Sequence, residues 1–132
     1  MCSLEQLNTL SQMNVKRLTD LFEQYQIRDN STISTFINYL AYGLSPGSFS
    51  AAVIANDFYQ AIKSSHPANS IIEIKYLVQL ITERFPTEAY GSWEKYNNWI
   101  ALSDLERREL LEFWNLILTP IQETVTILQD SK

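Results

Sequence analysis

A single cysteine and a single histidine are all that this 132-residue chain offers to thiol or imidazole chemistry. Cys2 alone cannot close an internal disulfide, and a lone thiol suits a reducing compartment. A structural zinc site needs clustered Cys and His, so that class is excluded. No Asp-x-Asp or Glu-x-x-His pattern supports a carboxylate metal site, and no cofactor is expected. Glycine is equally scarce, at positions 43, 47 and 91 only. With that spacing neither a GxGxxG turn nor a Walker-type phosphate loop can be written, and a GxSxG nucleophile elbow is missing too.

Positive charge is short as well. Ten Lys and Arg face fifteen Asp and Glu, for a net charge of −5 and a pI near 4.8. Lys16-Arg17 and Arg107-Arg108 each have acidic neighbours within a helical turn, so no basic footprint for nucleic acid or anionic lipid forms. Unbroken apolar runs such as Ala51 to Ala55 fall far short of the ~20 residues that span a bilayer. A secretory n-region and h-region are not found, and Asn30-Ser31-Thr32 reads as a helix start rather than a glycosylation acceptor. A cytoplasmic protein of one domain is expected, without nucleic-acid or membrane partners. At 15.3 kDa it can bury roughly two thirds of its unfolded surface.

The most telling shortage is local. Residues 30–62 carry one charged side chain, Asp57, where the overall charged fraction of 19% would place about six. Eighteen of those 33 residues are apolar or aromatic. Such a stretch is either interior or a surface meant to be covered.

What the chain does have is helical periodicity throughout, with no sustained two-residue alternation. The first helix starts at Ser3 with Leu4, Leu7 and Leu10, slips phase between Ser11 and Asn14, and resumes with Val15, Leu18, Phe22 and Tyr25. Asp29, Asn30 and Ser31 offer the next N-cap, and Ile33, Phe36, Ile37 and Leu40 form a stripe that Gly43 ends. Phe49 to Lys63 reads as a third helix after the Ser45-Pro46-Gly47-Ser48 turn. Ser70 and Glu73 make a capping box for a fourth helix with a stripe of Ile71, Ile74, Val78, Ile81 and Phe85, closed by Pro86. Ser92 opens a short aromatic helix from Trp93 to about Ala101. Ser103 with Glu106 launches a last long helix, which Pro120 should kink. The expected fold is all-α, a single-domain bundle of six or seven helices over residues 1–132.

Two of those helices look apolar all round: the Phe49–Ile62 segment, and the last helix through Leu110, Leu111, Phe113, Trp114, Leu116, Ile117 and Leu118. A helix without a wet side must be covered on most sides. One small subunit can surround one such helix more easily than two. The expectation is therefore a Trp114 helix at the centre, with Arg107, Arg108, Glu109 and Glu112 holding its first turns in water. Phe49, Ala52, Val53, Phe58, Tyr59 and Ile62 then become a partner-binding surface, facing a protein partner or a second copy in a homodimer. Burial of the same residues against Phe36 and Leu40 within one subunit is the competing outcome.

For chemistry there is little. His66 before Pro67 reads as an exposed loop histidine without an accompanying nucleophile. Asp104, Glu106, Glu109 and Glu112 cluster, but helix-dipole, capping and i,i+4 pairing with Arg108 account for them. Trp93, Tyr96, Trp99 and Trp114 are a candidate ligand pocket; packing of the short aromatic helix onto Phe113 and Trp114 is the alternative. The function expected is a non-catalytic protein–protein interaction module. The other candidates are an acidic inhibitor or immunity-type protein for a basic partner, and a carrier of a small ligand.

Overall fold

The computed structural model describes residues 10–65 and 71–130. The Ser3 helix start with Leu4 and Leu7, Cys2, His66, and the Ser70 half of a capping box lie outside them. Eight α-helices, one 3₁₀ turn and no strand make up the described residues, an all-α bundle. They are α1 Gln12–Gln24, α2 Asn30–Tyr42, α3 Ser48–Ile54, α4 Phe58–Ser64, α5 Ile71–Arg84, the turn Thr87–Ala89, α6 Trp93–Ala101, α7 Asp104–Phe113 and α8 Pro120–Asp130.

Side-chain caps set most of the starts. Ser11 caps α1, Asp29 α2, Asp57 α4 and Ser92 α6, each accepting from the backbone N–H three residues on. Ser103 and Glu106 form the reciprocal capping box of α7. The phase slip of the first helix is therefore a start: Ser11 caps a new helix there.

The ends explain two corrections. Gly43 closes α2 in the left-handed region at φ +66°, as its sequence position implies. Gln26, Asn56 and Asn115 adopt the same conformation at φ +61° to +68°. In each the next residue donates back across the turn, Ile27 to Phe22, Asp57 to Ala52 and Leu116 to Leu111, at 2.9–3.1 Å. Asparagine tolerates this geometry better than most side chains, so it can end a helix as glycine does. Consequently Phe49–Lys63 is not one helix but two, α3 and α4, broken at Asn56. The last helix is likewise cut at Trp114–Asn115. Pro120 does not kink a helix; it opens α8 at its first position, where its missing N–H costs nothing.

The centre of the bundle is α2 rather than the Trp114 helix. Ile33, Phe36, Ile37, Tyr39, Leu40 and Ala41 are all buried there. Phe36 meets Phe22 of α1 and Phe85 beyond α5, with the three ring centroids 6.1–6.3 Å apart. Tyr39 stacks on Tyr96 at 5.5 Å and Trp99 donates its indole N–H to the Tyr39 carbonyl at 3.1 Å, which fixes α6 to α2. Much of the charge-poor stretch is thus accounted for by one helix whose apolar side is buried and whose wet side is uncharged Asn30, Ser31, Ser34 and Asn38. Trp114, by contrast, is only partly buried and caps the end of α7. On α5 the buried side is Leu77, Leu80 and Ile81, with Phe85 just beyond, while Val78 is exposed; the Ile71–Phe85 spacing was one residue out of phase there.

Arg107 overturns a second expectation. It does not hold α7 in water; it is 3% exposed. Its guanidinium donates to the carbonyls of Ala41, Trp99, Ile100 and Leu102 and pairs with Asp104. Four carbonyls from the ends of α2 and α6 thereby find their donor in one side chain. Gly43 makes room for it: a Cβ there would lie 2.6 Å from Nη1.

Candidate functional site

The sequence-predicted residues fall into two groups, and the structure separates the members of each. On α3 and α4, Ala52 is fully buried and faces its own core, so it cannot touch a partner. Phe49 and Val53 are partly buried against that core. Phe58, Tyr59 and Ile62 are exposed, at 69%, 87% and 42%. The turn at Asn56 is the cause: it re-aims α4 so that Ala61 packs inward and the aromatic side of the helix faces out. Phe58 and Tyr59 meet edge to face at 6.1 Å. Trp93 of α6 joins this arc, donating its indole N–H to the Asp57 carboxylate at 2.9 Å while remaining half-exposed. Asp57 also caps α4 through Gln60, so one carboxylate holds both the helix and the ring beside it.

The four rings of the supposed ligand pocket do not surround one cavity. Trp99 is fully buried and Tyr96 nearly so, both packed on Tyr39. Tyr96 donates its hydroxyl proton towards Ser45 Oγ at 3.1 Å, and Trp93 stands edge-on to it at 5.4 Å. Trp114 lies apart, paired with Phe113 at 6.0 Å and donating to Glu88 at 3.2 Å. The short aromatic helix does close the bundle by packing, but its partner is Tyr39; Phe113 remains 76% exposed.

Space for a ligand occurs elsewhere. A groove of about 430 Å³ runs between the α1–α2 turn, the start of α3 and the first turns of α5. Ile27, Phe49, Ile74 and Leu77 supply its apolar side, Asp29 and Glu73 its acidic edge. Asp29 is already committed, accepting from the Thr32 backbone and hydroxyl, bonds that hold its carboxyl below the usual range. Nothing in the sequence pattern marks this groove, because its lining comes from three separate segments.

The acidic cluster of α7 behaves as capping and pairing require. Bonds from Ser103 hold Glu106 below the ordinary carboxylate range and therefore ionised, the opposite of a general acid. Arg108 bonds Glu112 at 3.3 Å. Tyr39 is pushed far above the usual phenol range by burial, with Tyr96 beside it, and donates to the Ala89 carbonyl at 2.6 Å. That tyrosine is a neutral structural bolt. Among the described residues no group of three or more His, Cys, Asp or Glu side chains is placed to hold a metal ion. None of the described helices is long and apolar enough to cross a membrane. In comparisons with known proteins, no protein-family model, no curated protein and no solved structure matches the chain.

Proposed function

We propose that this chain is a non-catalytic interaction module whose contact surface is the outward side of α4 with Trp93 beside it. One observation carries the reading: Phe58 and Tyr59, adjacent aromatics, stand mostly in solvent on a helix that packs inward through Ala61. Aromatic side chains at such density on a small surface are the usual anchors of protein interfaces. Asp57 caps the helix that carries them and holds the Trp93 indole, so little backbone ordering is needed when a partner arrives. The partner is a protein, or a second copy of the chain in a homodimer.

Light scattering behind size-exclusion chromatography, together with affinity capture from the native source, tests this. Wild type is expected to form a dimer or to retain a defined partner. A Phe58→Ser/Tyr59→Ser variant with unchanged circular dichroism is expected to lose that species. Equal retention by both would end the proposal.

A second reading, a small-ligand carrier, is favoured by the 430 Å³ groove, whose size suits a drug-sized molecule. A thermal-shift screen of amphipathic metabolites tests it: hits should disappear in Leu77→Trp, which fills the groove. No stabilising compound in the screen would remove it.

A further inference from the structure

The outward side of α7 differs from that of α4 in charge. Leu105, Glu109 and Phe113 lie four residues apart along one line, opposite the buried Arg107 and Leu111. Leu105 is 65% exposed and Phe113 76%, so two large apolar side chains flank one carboxylate in solvent. Glu106 projects beside them in solvent, and its capping bonds with Ser103 favour the ionised form. Glu88 sits at the Phe113 end, anchored by the Trp114 indole.

Among the described residues no salt bridge answers Glu88, Glu106 or Glu109. The sequence places two arginines on the helix, but the fold withdraws both. Arg107 spends its charge on four backbone carbonyls and Asp104 beneath Gly43. Arg108 is held by Glu112, with Glu123 of α8 at 4.0 Å, leaving only 16% of its side chain exposed. Glu109 makes no salt bridge among the described residues. The result is an apolar line edged by carboxylates that no salt bridge among the described residues neutralises.

We infer that this face is a docking surface for a cationic amphipathic helix of another protein, one whose apolar stripe covers Leu105 and Phe113 while flanking Lys or Arg side chains meet Glu88, Glu106 and Glu109. Charge complementarity selects that occupant: a second copy would bring its own Glu109 against this one, and like charges across an interface are penalised. The surface stands independently of the α4 arc, on another helix and by another chemistry.

The probe is a sixteen-residue synthetic helix with leucines at i, i+3, i+4 and i+7 spacing and lysines on both flanks, titrated into ¹⁵N-labelled protein at 150 mM salt. Shift changes are expected at Leu105, Glu109 and Phe113 and at the Trp114 indole, with affinity falling as salt rises. The same helix with glutamates for lysines, and a lysine peptide with its leucines scattered, should bind at least about tenfold more weakly. Glu109→Lys should cost about tenfold and turn preference towards the glutamate peptide, and Phe113→Ser should cost as much. Both sites are exposed, so folding is expected to survive; the wild-type map decides the matter if either variant fails. Shift changes confined to another face, equal binding of the scattered peptide, or no binding at millimolar peptide would each overturn the inference.

Discussion

Replacing Arg107 by methionine removes a charge while roughly keeping the volume, and its cost can be worked from the bonds lost. Two of the four carbonyl bonds, to Ala41 and Trp99, are buried, so those oxygens would lose their guanidinium donor where water has poor access. The Ile100 and Leu102 carbonyls are only part-buried and can recover water. The Trp99 carbonyl keeps the Leu102 N–H at 3.2 Å, so the Ala41 carbonyl is the one left without a donor. An unsatisfied buried polar group costs about 1–3 kcal/mol, which for a chain of this length is about 4–12 °C in melting temperature. Arg107→Lys keeps the charge but not the fork, and should recover about half. Lys16→Ala, which breaks an exposed pair with Asp20, is the control at under about 0.5 kcal/mol. Urea unfolding followed by tryptophan emission measures all three. Gly43→Ala should be damaging in its own right, since its Cβ would press within 2.8 Å of the guanidinium carbon and its φ is left-handed. Because the clash is with Arg107, the Gly43→Ala/Arg107→Met pair should cost less than the sum of the singles. A drop below about 1 kcal/mol for Arg107→Met would refute the role given to this side chain.

Tyr39→Phe loses the bond to Ala89 and should cost about 1 kcal/mol at neutral pH. Because the folded phenol titrates above its unfolded value near 10, its contribution is complete below that pH and lost above it. Wild-type stability should therefore fall faster than the variant's in alkali, by up to ~1.4 kcal/mol per pH unit in equilibrium unfolding. Asn14→Leu strands the Leu118 N–H and carbonyl, while Glu123 keeps the Ser11 hydroxyl, and should cost about 2–4 kcal/mol; hydrogen exchange should show α8 opening first. Pro120→Ala should change stability by under about 1 kcal/mol, since the ring sits at a helix start; a larger loss in thermal melts would contradict that placement.

The starts at Asp29, Ser92 and the Ser103–Glu106 box were legible because caps are local and act within three residues of themselves, whereas Ser11 showed only as a phase slip and Asp57 not at all. Among the ends, Gly43 after α2 and Pro86 after α5 were the clear local marks. Asn56 and Asn115 do the same work as Gly43, yet asparagine is as common in exposed helix positions, so its presence alone carries no stop signal. A usable cue existed at 115, where Leu116 supplies the apolar residue that customarily follows such a turn, and it is buried. Arg107 and Asn14 were invisible for another reason. A buried polar side chain is defined by carbonyls and amides of distant segments, and nothing in the residues around it announces them. The groove beside Phe49 fails the same way.

The premise that this subunit holds more apolar helix than it can hide depended on two continuous cylinders, and both prove to be interrupted. Once α3 and α4 are separate, Ala51, Ala52, Ile54, Ala55 and Ala61 find places inside, and the surplus contracts to Phe58, Tyr59 and Ile62. Once α7 stops at Phe113, Leu116 and Ile117 fold under as a buried connection instead of adding to a third side. What stays outside is smaller than an all-round helix but harder to explain away. A chain that can turn α4 at Asn56 could equally have turned its aromatic side inward, where burying a Phe is worth about 2 kcal/mol or more. Instead those rings stand in water on a helix that Asp57 caps while it holds the Trp93 indole. On the proposed reading, a partner seated on those rings would recover the stability that the arrangement forgoes.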